Sequence, residues 1–114
     1  MKEVVYTRQA LLQFEESVKE LVEQRYFSEE DYAVDYMREI FRYFALNLQN
    51  SVQVKAPEYF DRYKVVDGKE LFYVRYRKSS HTTWYAFFEE LPNVYSIVYL
   101  ANNQLIGHRL EIAL

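Results

Sequence analysis

The chain has 114 residues, a formal charge of −3 from 14 basic and 17 acidic side chains, and no cysteine. That length holds one domain with a real core, and an apolar half excludes a disordered chain. Without cysteine there are no disulfides, thiolate metal sites or cysteine nucleophiles, and a net negative charge restricts any nucleic-acid binding to a local patch.

The opening "MKEVVYTRQALL" lacks the continuous apolar run of a signal peptide, and no stretch reaches the length of a membrane span, so a cytoplasmic protein is expected. "EVVY", from Glu3 to Tyr6, reads as a short strand, and Thr7 is placed to cap a helix. Leu11, Phe14, Val18, Leu21 and Val22 recur at helical spacing, opposite Glu15, Glu16, Lys19, Glu20 and Glu23. A second helix is expected from "SEED", with Ser28 as cap and Glu29, Glu30 and Asp31 complementing the helix N-terminus. Its apolar stripe runs through Tyr32, Tyr36, Met37, Ile40, Phe41, Phe44 and Leu48. The short connection between the helices predicts an antiparallel hairpin.

From Glu58 the period changes to two. "YFDRYKVV" reads as a strand, the Asp67 and Gly68 pair as a type I′ hairpin turn, and "ELFYVRYRK" as the returning strand. "TTWYAFFEEL" and "NVYSIVYLA" are two further strands separated by "LPN". The tail "NNQLIGHRLEIAL" is compatible with a strand or a short helix. The fold class is therefore α+β: a short N-terminal strand, then an antiparallel helix hairpin packed on a twisted antiparallel sheet of four or more strands, all in one domain.

A two-residue turn at Asp67 and Gly68 would pair Lys64 with Leu71, Arg62 with Tyr73 and Phe60 with Arg75. Cross-strand partners share a face, so one face would carry Phe60, Arg62, Lys64, Lys69, Leu71, Tyr73, Arg75 and Arg77. Phe72, Val74 and Tyr76 would turn to the helices. An acidic protein would thus have a basic, aromatic-studded sheet face. That face fits the solvated side of a half-buried sheet, and also an anionic ligand.

The order of strand, helix hairpin and meander, with "LFYVRYRKSSHTTWYAFFEELPNVYSIVYLANN" as its best part, resembles the RelE/ParE superfamily of bacterial toxins. Arg75 and Arg77 in "YVRYR" stand where RelE-like ribonucleases carry alternating basic residues. The sequence departs from the ribonuclease pattern at Trp84 and Tyr85, where an aromatic–Arg pair is usual, and at Asn102 and Asn103, where Lys or Arg is usual. The resemblance implies a toxin-like component that binds a cognate antitoxin, with messenger RNA at the ribosome or DNA gyrase as target. A homodimer stays open, and no cofactor, metal or membrane is implied.

RNA cleavage by attack of the 2′-hydroxyl needs cations for the phosphate and groups to move protons. Arg75 and Arg77 would supply the charge, and His81 or His108 the proton transfer, with Arg75, Arg77 and His108 as the candidate catalytic set. Arg62, Lys64, Tyr73 and Trp84 would bind RNA or an anionic partner, the aromatics by stacking. The acidic neighbours Glu15–Glu16, Glu29–Glu30 and Glu89–Glu90 point apart on regular elements and make no catalytic dyad. Two other readings stand beside the toxin: a non-catalytic interaction module of the same fold, and an α+β cone enclosing a small molecule between helices and sheet.

Overall fold

The computed structural model describes residues 2–103. Strand β1 (Glu3–Tyr6) leads into helix α1 (Arg8–Glu23), where the Thr7 hydroxyl accepts the Ala10 N–H at 3.2 Å. Helix α1 stops without a glycine. Arg25 sits at φ 62°, while its N–H donates to the Val22 carbonyl and the Tyr26 N–H to that of Leu21, the bond pattern of a Schellman motif.

Helix α2 (Glu30–Asn47) is capped at Glu29 and not at Ser28, and no side chain bonds the cap. Its expected stripe is buried from Met37 onward, but Tyr32 is 57 % exposed. Ala33 takes the buried place in the first turn, since residues four apart share a face with Met37.

Strands β2 (Val54–Lys55), β3 (Leu71–Arg77), β4 (Thr83–Glu90) and β5 (Val94–Asn102) complete one sheet in the order β1-β5-β4-β3-β2. The sheet is mixed: β1 runs parallel to β5, and the other pairs are antiparallel. Parallel pairing requires a crossover, and the helix hairpin supplies it. Val74, Trp84, Ala86, Phe88, Ile97 and Leu100 fill the helix-facing side against Met37, Ile40, Phe41 and Phe44. No helix among the described residues is long and apolar enough to cross a membrane.

The expected strand over 59–66 is absent. Residues Glu58–Tyr63 form a 3-10 helix after Pro57, and the Phe60 N–H donates to the Pro57 carbonyl at 3.0 Å. Packing decides the matter. Phe60 is fully buried, stacked 4.5 Å from Phe87, beside Leu71, Tyr73 and Val98 on the sheet face away from the helices. The N–H groups of Val65 and Val66 donate to the buried Glu89 carboxylate at 3.0 and 3.1 Å, so a side chain takes the bonds a ladder would have used. Asp67 and Gly68 still turn the chain, with Lys69 N–H on the Val66 carbonyl at 3.3 Å. Only Gly68 has positive φ, which rules out type I′. Tyr73 therefore pairs with Val54 and Phe87 rather than with Arg62, and Arg75 pairs with Tyr85 rather than with Phe60.

Candidate functional site

Alternation along β3 sends Phe72, Val74 and Tyr76 to the helices and Leu71, Tyr73, Arg75 and Arg77 to the opposite face. The 3-10 segment packs on Leu71 and Tyr73. Arg75 and Arg77 at the end of the strand remain exposed. Their β4 partners on the same face are Tyr85 and Thr83. These four residues, with Ser80, His81 and Asn103, line an open groove of about 710 Å³. Among the described residues no carboxylate lines it.

The connection between β3 and β4 is held from two directions. Lys78 and Ser79 donate their N–H groups to the Thr82 carbonyl at 2.9 and 3.2 Å. Asn103 accepts from the Thr83 N–H at 3.1 Å through its carbonyl and donates to the His81 carbonyl at 3.2 Å through its amide nitrogen. One side chain thus ties the end of β5 to the loop that carries His81. Among the described residues Arg77 reaches only the Ser80 carbonyl, at 3.5 Å. Among the described residues Arg75 makes no side-chain hydrogen bond or ion pair.

Lys78, the third basic residue of the run, is placed differently. It points to the helix side, 2.9 Å from Glu39 of α2, where the Tyr76 hydroxyl also donates to Glu39. The bond from Lys78 holds the Glu39 carboxyl below its usual pKa. Burial opposes the Lys78 charge, but Glu39 outweighs it, and the ammonium pKa is raised. Lys78 is therefore a tether between sheet and helix.

The other expected site residues divide further. Arg62 lies over the Tyr59 ring at 4.2 Å and donates to the Tyr59 carbonyl, and Lys64 pairs with Asp61 at 3.4 Å. Both belong to the 3-10 segment or its end, and neither lines the groove. Tyr73 is buried against Phe87, and Trp84 is buried on the helix side with its indole N–H on the Tyr36 hydroxyl at 3.2 Å. Neither ring can stack on a base. His108, Arg109 and the tail lie outside the described residues. His81, the alternative proton carrier, is in the groove.

Sequence reasoning missed Ser80, Thr83, Tyr85 and Asn103 as groove residues. Strict alternation on β4 would have found two of them, because Thr83 and Tyr85 lie on the face opposite Trp84. Among the described residues no His, Asp and Glu cluster could hold a metal ion. Compared with known proteins, the chain matches no family model, no curated protein and no solved structure.

Proposed function

We propose that this chain is a toxin-like component of a bacterial toxin–antitoxin pair, similar to the RelE/ParE proteins, and that the Arg75–Arg77 groove grips the phosphate backbone of RNA. The observation that carries this reading is the groove itself: two guanidiniums with no carboxylate beside them among the described residues, next to an imidazole, on a protein whose net charge is −3. Guanidinium forks match phosphate geometry, and their charge acts most strongly where no acid neutralises it. The element order, a strand and helix hairpin followed by a meander, agrees with the family resemblance. His81 is the group suited to carry a proton from the 2′-hydroxyl.

A specific observation favours a second reading, in which the groove binds without cleaving. The positions where the ribonuclease pattern places Arg or Lys hold neutral side chains here: Tyr85 lines the groove, and Asn103 clamps a loop. The small-molecule cone is not favoured, because Phe44, Phe88, Met37, Ile40 and Ile97 fill the helix–sheet interface with fully buried side chains.

The test combines Arg75→Ala/Arg77→Ala with single-stranded RNA binding across a salt series. Loss of two phosphate contacts should weaken binding at least about tenfold and lower the salt slope by about 1.4. Unchanged binding and slope would overturn the RNA reading. Growth arrest on induced expression of the wild type without an antitoxin, abolished by the double variant, supports a toxin. His81→Gln separates the two readings: it removes cleavage if His81 moves the proton, and leaves retention of RNA intact.

A further inference from the structure

A second groove, of about 780 Å³, opens where the connection between the two helices meets the connection between β3 and β4. That volume suits a small molecule. Its floor is a row of three rings. Phe27 and Tyr36 have centroids 5.5 Å apart, and Tyr36 meets Trp84 edge-on at 6.4 Å. The indole N–H already donates to the Tyr36 hydroxyl at 3.2 Å, so the floor offers a ligand mainly aromatic surface.

The β5 wall of this groove is closed to an extended peptide. Beyond its pairing with β1, which ends at Ile97, β5 has an open flank, and α1 covers it. Gln9 donates to the Val98 carbonyl at 3.0 Å. Gln13 donates to the Leu100 carbonyl and accepts from the Leu100 N–H, both at 2.8 Å. The Gln13 amide does what a residue of a neighbouring strand would do. An incoming strand finds the backbone of Leu100 taken, and recognition in the groove falls to side chains.

The charged groups on the walls are unequal. Lys78 is tied to Glu39 at 2.9 Å, with its Nζ over the Tyr36 ring at 5.3 Å, so its charge is already matched. On the facing wall, Glu16 and Glu20 are exposed and lie one turn apart on α1. Like charges at that spacing repel, and a cation between them relieves the repulsion. Among the described residues neither carboxylate pairs with a cation, and the side-chain bond to Glu20 comes from the neutral Gln24 amide at 3.0 Å.

We infer that this groove binds a small organic cation, an ammonium carried on an aromatic body. The ammonium sits at the rim against Glu16 and Glu20, and the ring lies on Phe27, Tyr36 and Trp84. Carboxylates and ring faces both favour positive charge, so an anion is repelled and a neutral ligand of the same shape lacks the strongest contacts. Ser79 and Thr82 line this groove, whereas Ser80 and His81 line that of Arg75 and Arg77, and the inference is independent of RNA binding.

Trp84 is the only tryptophan of the chain, so its emission reports on this groove. The full chain is titrated at neutral pH with phenethylamine, an ammonium under those conditions, and with phenethyl alcohol and hydrocinnamate as its neutral and anionic counterparts. The expected result is a saturable change in emission with the amine, binding of the alcohol at least about tenfold weaker, and weaker binding still of the carboxylate. Glu16→Gln/Glu20→Gln should bring the amine down to the affinity of the alcohol and leave the alcohol unchanged. Glu15→Gln/Glu23→Gln removes the same charge from α1 outside the groove and should leave amine binding as it was. No saturable response, equal affinity for amine and alcohol, or amine binding unmoved by Glu16→Gln/Glu20→Gln would each overturn the inference. An equal loss in the Glu15→Gln/Glu23→Gln variant would overturn it too, since attraction would then follow net charge and not this site.

Discussion

Gln13 offers a sharp test of how the fold closes its β5 edge. Its amide makes two 2.8 Å bonds to the backbone of Leu100, a residue only 4 % exposed. Gln13→Met keeps the length and most of the volume of the side chain and deletes both bonds. A buried donor or acceptor left unpaired costs about 1–3 kcal/mol. Two orphaned groups near a flank that water can partly reach should then cost about 2–3 kcal/mol. With a urea m-value of about 1–3 kcal/mol/M, the unfolding midpoint should fall by roughly 1 M with m unchanged. Gln13→Glu is the companion variant. Its carboxylate still accepts from the Leu100 N–H but faces the Leu100 carbonyl with no donor, so it should also destabilise. The unpaired edge should show as concentration-dependent self-association in sedimentation or size-exclusion measurements, since exposed strand edges pair with one another. A loss below about 0.5 kcal/mol for Gln13→Met, within the range of ordinary surface substitutions, would refute the idea that this amide stands in for a strand.

Three further outcomes follow from the same structure. Arg25 holds the left-handed position that ends α1, so Arg25→Gly should raise stability by about 1 kcal/mol in thermal or urea unfolding, while Arg25→Val should lower it. Phe60→Ala should cost about 3–5 kcal/mol, because it empties the site stacked on Phe87 and releases the 3-10 segment from the sheet; a cost under about 1 kcal/mol would mean that the segment is not anchored there. Burial raises the pKa of Tyr6, whose hydroxyl donates to the Phe41 carbonyl at 2.6 Å, and burial with a hydrogen bond from the Tyr99 hydroxyl to Tyr63 raises that of Tyr99. A raised phenol pKa means stability that is full below the unfolded value of about 10 and is lost as pH climbs toward the folded one, so the melting temperature of the wild type should fall more steeply above that pH than that of Tyr6→Phe/Tyr99→Phe.

The legible part of the fold was the part governed by one-dimensional period. Both helices, β1 and the three long strands declare themselves through apolar spacing, and Thr7 declares its cap. The misread segment is one where the local pattern and the tertiary partner disagree. Tyr59, Phe60 and Tyr63 allow alternation, but Phe60 and Tyr63 are also three apart, the spacing of a 3-10 turn, and Pro57 starts such a turn readily. What settles the choice is Phe87 across the sheet and a buried carboxylate at Glu89, and neither acts through sequence proximity. The adjacent pair Glu89 and Glu90 points apart, as alternation along a strand requires: Glu89 is buried, and Glu90 pairs with Lys2 at 2.5 Å. The core role of Glu89 had no sequence signal. Arg75 and Arg77 were legible because both lie on one strand. Arg62 and Lys64 were joined to them only through a hairpin that does not form.

That missing hairpin changes the electrostatics as well as the topology. A strand over 59–66 would have spread basic residues along a whole sheet face, each diluted by solvent. The 3-10 segment instead buries the near half of that face under Phe60 and keeps Arg62 and Lys64 with local partners. Lys78 is neutralised on the other side by Glu39. Among the described residues Arg75 and Arg77 stand together at the end of β3 without such a partner. Asn103 suits this position for the same reason. An aspartate there would accept the Thr83 N–H equally well, but it could not donate to the His81 carbonyl and would set a carboxylate beside Arg75 and Arg77. A lysine would add charge but could not accept from Thr83, and the loop carrying His81 would lose its tie to β5. The neutral amide holds the loop and leaves the field of the two arginines intact. That is the arrangement a groove needs if it is to draw an anion to a protein that is acidic as a whole.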